Sequence, residues 1–242
     1  MFDQLTALEA VELIFDALNS ERRGWVCTVN VTTLINMRND PQLQTFADQA
    51  LVVVADGQPL VWSAPLFGGK LPERVAGIDL MDLLCQRAAI EGKGIYLLGA
   101  RDPVLRTAMQ KLRRRYPNLK IFGSNGYFKA TESKLRADAI RASGASLLFV
   151  GMGTPRQEAF IRDHWEHLGV RIAVGVGGSF EVMAGLRLRA PRWLQHVGME
   201  WLVRLLQEPG RLLPRYLKAN SRFCLLIARA TASRLRRQMN SN

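Results

Sequence analysis

Through residues 1–191, short apolar runs bounded by glycine alternate with segments of helical period, and this alternation limits the fold more than any other property of the chain. Leu5, Leu8, Val11, Phe15 and Leu18 recur at helical spacing and lead into an apolar run at residues 25–29. Further strand-like runs lie at 51–55, 94–98, 119–122, 146–150 and 171–176, with helical patterns at 80–90, 102–116, 131–142 and 155–168. Strands that are apolar throughout and separated by helices predict an α/β fold: a mostly parallel, Rossmann-like sheet with helices on both faces. A chain of 242 residues with 48% hydrophobic content can bury the sizeable core this needs.

The strand ends carry Thr28-Val29-Asn30, Asp56-Gly57, Gly99-Ala100, Gly151-Met152-Gly153-Thr154 and Gly175-Val176-Gly177-Gly178. Open α/β sheets bind ligands beyond the carboxyl ends of their strands, where backbone amides and helix N-termini receive phosphate. Any one of these glycines could simply make a tight turn, but as a set Gly99, Gly151, Gly153, Gly177 and Gly178 predict a ligand site. Asp56 follows the apolar strand Leu-Val-Val-Val-Ala, so its carboxylate belongs at the rim of that site, where desolvation suits it to act as a general base. The competing reading is a turn residue ahead of a helix with Pro59 in its first turn. Thr154-Pro155-Arg156-Gln157 fits a capping box with proline at the first helical position, and Gln157 either closes that cap or presents its amide to a ligand.

After about Arg192 the strand signal stops, and residues 192–242 read as a helical appendage to an α/β domain at 1–191. Its cations include Arg204, Arg211, Arg215, Lys218, Arg222, Arg229, Arg234, Arg236 and Arg237, against only Glu200 and Glu208. These cations alternate with Leu, Ile and Phe, the pattern of an amphipathic helix lying on anionic headgroups; its first half could equally pack on the main domain. A formal charge of +12 requires anionic partners but does not choose among membrane, phosphorylated substrate and nucleic acid. Nucleic-acid binding calls for cations spread over one face with stacking aromatics, whereas the C-terminal cations here alternate mainly with aliphatics.

No apolar run is long enough to span a bilayer, and the acidic N-terminus does not resemble a signal peptide, so a cytoplasmic, membrane-peripheral location is expected. Cys27, Cys85 and Cys224 are odd in number and widely spaced, and are read as packing residues of a reducing compartment. His164 and His167 lie one helical turn apart, but a metal site needs further ligands and His196 is the only other histidine. The chain has no Asp-x-Asp, no phosphate loop of the G-x-x-x-x-G-K-[ST] type, no G-x-G-x-x-G after the first strand and no G-x-S-x-G. These gaps weigh against ATPase, dehydrogenase and hydrolase chemistry.

Taken in order, a set of motifs resembles the WecG/TagA/CpsF glycosyltransferases, also described as glycosyltransferase family 26. They are Thr28-Val29-Asn30, Ala55-Asp56-Gly57, residues 71–77, Gly126-Tyr127-Phe128, residues 153–158, residues 175–180, Arg189-Ala190-Pro191 and residues 200–205. The resemblance spans nearly the whole chain. It implies an inverting enzyme that needs no metal or other cofactor and moves sugar from a UDP-sugar donor to a polyprenyl-diphosphate-linked glycolipid, in the synthesis of bacterial surface polysaccharide or teichoic acid linkage. It also implies that Asp56 is the base, that Thr28, Asn30, Arg74 and Gln157 line the pocket, and that appendage arginines Arg204 and Arg211 offset charge on departing UDP. The third family arginine falls on Pro214, with Arg215 adjacent.

The expected partners are thus the donor, the glycolipid acceptor and the inner membrane surface, without nucleic acid; self-association is left open. The rival readings are a nucleotide-binding α/β protein without transferase activity, such as an oxidoreductase domain on the same sheet, and a basic nucleic-acid-binding module.

Overall fold

A computed structural model describes residues 2–239. Six strands, β1 (Gly24–Val29), β2 (Val52–Ala55), β3 (Ile95–Gly99), β4 (Ile121–Ser124), β5 (Leu147–Gly151) and β6 (Ile172–Gly175), form one sheet in the order β2-β1-β6-β5-β3-β4. Every pairing is parallel. Each strand lies within two residues of its sequence-predicted span, and the Rossmann-like expectation holds.

Helix α1 (Ala7–Asn19) precedes β1, while α2 (Val31–Met37) and α3 (Pro41–Asp48) join β1 to β2. Between β2 and β3 lie α4 (Gln58–Ser63), a 3-10 turn (Ala64–Phe67) and α5 (Gly77–Ile90). Then α6 (Asp102–Arg115), α7 (Ser133–Ala142) and α8 (Arg156–Leu168) lead into β4, β5 and β6 respectively. After β6 come α9 (Ser179–Ala184), α10 (Arg192–His196), α11 (Glu200–Gln207) and α12 (Pro209–Met239).

Side chains alternate across each strand, so the continuous apolar runs feed two cores, one on each face. Ile95 and Leu97 of β3 join Ile14, Phe15, Leu84 and Phe180 on one face. Tyr96 and Leu98 point the other way, toward Phe46, Ile140 and Phe160.

Helices α2, α3 and α9 carried no sequence expectation of their own, because six to eight residues are too few to display a helical period, whereas α4 is the helix expected after Gly57 with Pro59 in its first turn. Local chemistry starts two of them. The Asn30 side chain accepts from Thr33 N to cap α2, and Asp40 accepts from Gln42 N and Leu43 N to cap α3 ahead of Pro41.

The appendage is helical, as its composition suggests. Helix α12 packs against α2 and buries Ala219 and Phe223 in the second core, while Arg211, Arg215, Lys218, Arg222 and Arg229 stay exposed. The side chains of Arg234, Arg236 and Arg237, like that of His196, lie outside the described residues. Among the described residues no helix is long and apolar enough to cross a membrane. Cys27 and Cys85 are buried in opposite cores, but Cys224 is exposed on α12, so it is not the packing residue expected from sequence. The polar face of α12 turns it to solvent.

Candidate active site

Because all six strands run parallel, their carboxyl ends share one edge of the sheet, and every residue singled out at a strand end lies along it. Strand β3 leads outward to β4 while its neighbour β5 leads the opposite way to β6, so the direction of winding switches between them. The glycines make this crossing possible. A Cβ on Gly99 would stand 2.6 Å from the Gly151 carbonyl oxygen, and one on Gly126 would stand 2.8 Å from Gly99 Cα, so three backbones touch where side chains could not fit. Gly153 and Gly177 differ, with φ of +78° and +51° and open space where a side chain would project. Gly178 is covered by the Arg187 guanidinium.

Asp56 follows β2 directly, and its backbone N–H donates to Val29 O at 2.8 Å, which extends the β1–β2 ladder to the base of its side chain. The Gly77 amide, at the start of α5, donates to its carboxylate. Burial pushes the carboxyl above the usual aspartate range; Arg204, Arg74 and the Gly77 amide pull the other way, and Glu200 adds to the rise. That leaves a desolvated carboxyl with cations facing it.

Those cations are organised by one carboxylate. Glu200, at the first position of α11, is 5% exposed. Its Oε2 accepts from Arg74 Nη2 at 2.7 Å and its Oε1 from Arg204 Nη2 at 3.2 Å. Burial alone would raise this carboxyl, but Arg74 and Arg204 together hold it below the usual glutamate range. Arg189 approaches the same group and is itself paired with Asp79 on α5. Further out, Glu208 receives Arg187 Nε at 2.6 Å and also pairs with Arg211. Tyr216 on α12 lies within electrostatic reach of Arg204, Arg215, Arg211 and Glu200, with its ring edge-on to Trp201.

Thr28, Asn30 and Gln157 sit at the same edge but are engaged in holding it together. Thr28 Oγ1 donates to Gly175 O at 2.8 Å, beyond the last paired residues of β1 and β6. Asn30 Oδ1 caps α2, and its amide nitrogen makes no hydrogen bond among the described residues. The Gln157 carbonyl accepts from Gly153 N at 3.2 Å and Gly177 N at 3.1 Å, clamping the two open glycine turns to each other. Its Nε2 donates to Glu158 at 2.9 Å. Burial raises the Glu158 carboxyl above its ordinary range. The expected capping box is not formed: α8 begins at Arg156, and Thr154 gives its hydroxyl to Glu158 instead.

Sequence gave Glu200 no role of its own, nor Glu208, Arg189 or Tyr216. For the two glutamates a signal existed: they are the appendage's only acids, and each precedes an arginine at helical spacing. His164 packs against Phe160, and His167 Nε2 lies 2.6 Å from Asp138. Among the described residues no group of three or more metal-ligating side chains is placed to hold an ion. An open groove of about 400 Å³ runs between α5, α6 and α9, lined by Asp79, Asp82, Lys111, Arg115, Met183 and Arg189.

Fold and site define an open, doubly wound α/β protein whose ligand edge is faced by a basic helical appendage. Within that class, the sequence model of the glycosyl transferase WecG/TagA/CpsF family matches residues 1–237, and the chain belongs to this family. It is a glycosyltransferase.

Proposed function

We propose that the protein transfers a sugar from a UDP-sugar to a polyprenyl-diphosphate-linked glycolipid with inversion at the anomeric carbon, in bacterial surface polysaccharide or teichoic acid synthesis. The observation that carries this reading is Asp56: a desolvated carboxyl at a strand tip, facing Arg74 and Arg204 and abutting the N-terminus of α5. Asp56 takes the proton of the acceptor hydroxyl as that oxygen attacks the anomeric carbon, and the bond from that carbon to UDP breaks. The diphosphate lies along the strand tips between the open Gly153 and Gly177 turns and the appendage, where Arg204 and Arg211 offset the charge of the leaving group. Protein cations thus do the work for which other nucleotide-sugar enzymes recruit a divalent ion. Exposed cations on α12 and exposed Trp193, Leu213, Leu217 and Leu225 suit this end of the molecule to the anionic inner leaflet, from which the glycolipid is drawn.

The test is a mass-detected transfer assay on the full chain, with a panel of UDP-sugars and a short-chain polyprenyl-diphosphate sugar, wild type against Asp56→Asn. One productive donor and acceptor pair, lost in the variant while UDP still binds, is the expected result. Wild-type turnover by Asp56→Asn would remove Asp56 from the mechanism.

A further inference from the structure

We propose that Glu200 and Glu208 are positioning residues: each grips one arginine of the α/β domain and one of the appendage, so that two carboxylates set both the docking of α11 on the site and the readiness of its guanidinium groups for a diphosphate. Glu200 joins Arg74 to Arg204, and Glu208 joins Arg187 to Arg211. The inference rests on the reading that these arginines receive the donor's diphosphate.

Three features support it. First, each glutamate pairs with two guanidinium groups, so each pairing leaves an excess positive charge: at Glu200 it faces the Asp56 carboxyl beside the reacting centre, and at Glu208 it is open to an anion. Second, the contacts are single-point. Arg74 and Arg204 each give Glu200 only Nη2, while Arg187 gives Glu208 Nε. A guanidinium has five N–H donors, so the remaining edges stay available to phosphate oxygens without releasing the glutamate. Third, the two differ in burial. The Glu200 side chain is 6% exposed and that of Glu208 26%, which makes Glu200 the anchor and Glu208 its weaker counterpart at the rim.

Placement beside the base adds a consequence for pH. The charged or polar groups facing Asp56 are Arg74 from the loop ahead of α5, the Gly77 amide of α5, Arg189 from the segment ahead of α10, and Glu200 and Arg204 of α11. Removing the Glu200 charge leaves those cations without their counter-charge, so the acid limb of kcat/KM must move to lower pH. A lesion that only loosened the fold would lower the rate without moving the limb in that direction.

The experiment compares wild type, Glu200→Gln and Glu208→Gln as full chains in three measurements: tryptic cleavage at Arg204 and Arg211 without ligand, UDP affinity by calorimetry, and the pH profile of kcat/KM. Glu200→Gln is expected to speed cleavage and weaken UDP binding by roughly tenfold or more, the loss typical of a charge-assisted hydrogen bond, and to shift the acid limb downward. Glu208→Gln is expected to change both cleavage and affinity by roughly two- to fivefold, without the pH shift. Its partly exposed side chain makes it the informative variant should Glu200→Gln fail to fold. Cleavage and UDP affinity at wild-type values in the folded variants would overturn the proposal. A wild type that binds no UDP would instead reject the donor reading, and the cleavage measurement would still decide whether the glutamates hold the appendage.

Discussion

Glu200 Oε2 lies 2.7 Å from Arg74 Nη2 and so fastens the first turn of α11 to the loop ahead of α5, across 126 residues of sequence. Neither side chain is more than 14% exposed, so the pair is largely desolvated. Breaking such a pair by removing one partner commonly costs about 3–5 kcal/mol, because the other charge is left buried. The contact therefore ties the placement of α11 beside Asp56 to the stability of the fold, with Asp56 facing both arginines that Glu200 holds.

Asp56 should trade stability for chemistry. Replacing it with asparagine is expected to lower kcat by about 10²- to 10⁴-fold, the usual contribution of a positioned base. Its folded-state pKa is raised, so its contribution to stability is full below the unfolded pKa, about 3.9, and is lost as pH rises through the folded value. Asp56→Asn should accordingly raise the thermal midpoint at pH 7, and the gain should disappear as the pH is lowered past 4 on the order of the unfolded value. Thermal melts across that range check the sign; a variant less stable than wild type at pH 7 would contradict it.

Arg204 and Arg211 should act on the leaving group rather than on the fold alone. Alanine at either position is expected to reduce turnover on the order of 100-fold and to weaken UDP binding with it, while wild-type turnover persists in excess EDTA. Steady-state kinetics with and without chelator, alongside UDP calorimetry, measure both effects. Unchanged kinetics in both variants would show that the appendage does not reach the diphosphate.

Much of the framework could be read from sequence because it depends on local pattern. The six strands were visible as apolar runs, since a parallel sheet buries both faces, and Asp56 was visible because strand polarity fixes where its carboxylate must emerge. Glu200 was not, although its motif was. Its role comes from Arg74, and no local pattern announces a pairing between residues that far apart. Gln157 shows the opposite limit. Its motif marked the right turn, but which group its amide would serve depended on Gly177, a residue brought near only when β5 and β6 pair side by side.

That clamp makes a separate prediction. Gln157→Ala would leave the Gly153 and Gly177 amides without their shared acceptor and Glu158 with one fewer donor, the Thr154 hydroxyl remaining, at a cost of roughly 2–4 kcal/mol in chemical denaturation. Gly99→Ala should be worse, since its Cβ would press on the Gly151 backbone, where neither strand can retreat. Gly177→Ala meets open space and should pay only for its positive φ, so it should fold while perturbing the ligand edge. A Gly99→Ala variant as stable as Gly177→Ala would refute the packing argument.

Membrane binding is best tested where the appendage no longer contributes to the core. A chain ending at Arg215 would remove Ala219 and Phe223 along with the cations, and so could not separate docking on lipid from loss of packing. Ending it after Ala228 keeps both, together with Leu226 and Ile227, which pack beside them, and removes Arg229, Arg234, Arg236 and Arg237. Each cation near an anionic leaflet contributes about 1 kcal/mol, so affinity for phosphatidylserine-containing vesicles should fall by at least about 100-fold at low salt. The gap between the two proteins should narrow as salt shortens the Debye length from about 10 Å at 0.1 M toward about 3 Å at 1 M. Co-sedimentation measures this. Equal binding of both proteins would place the lipid contact elsewhere, on the apolar rim that includes Trp62, Phe67 and Trp193.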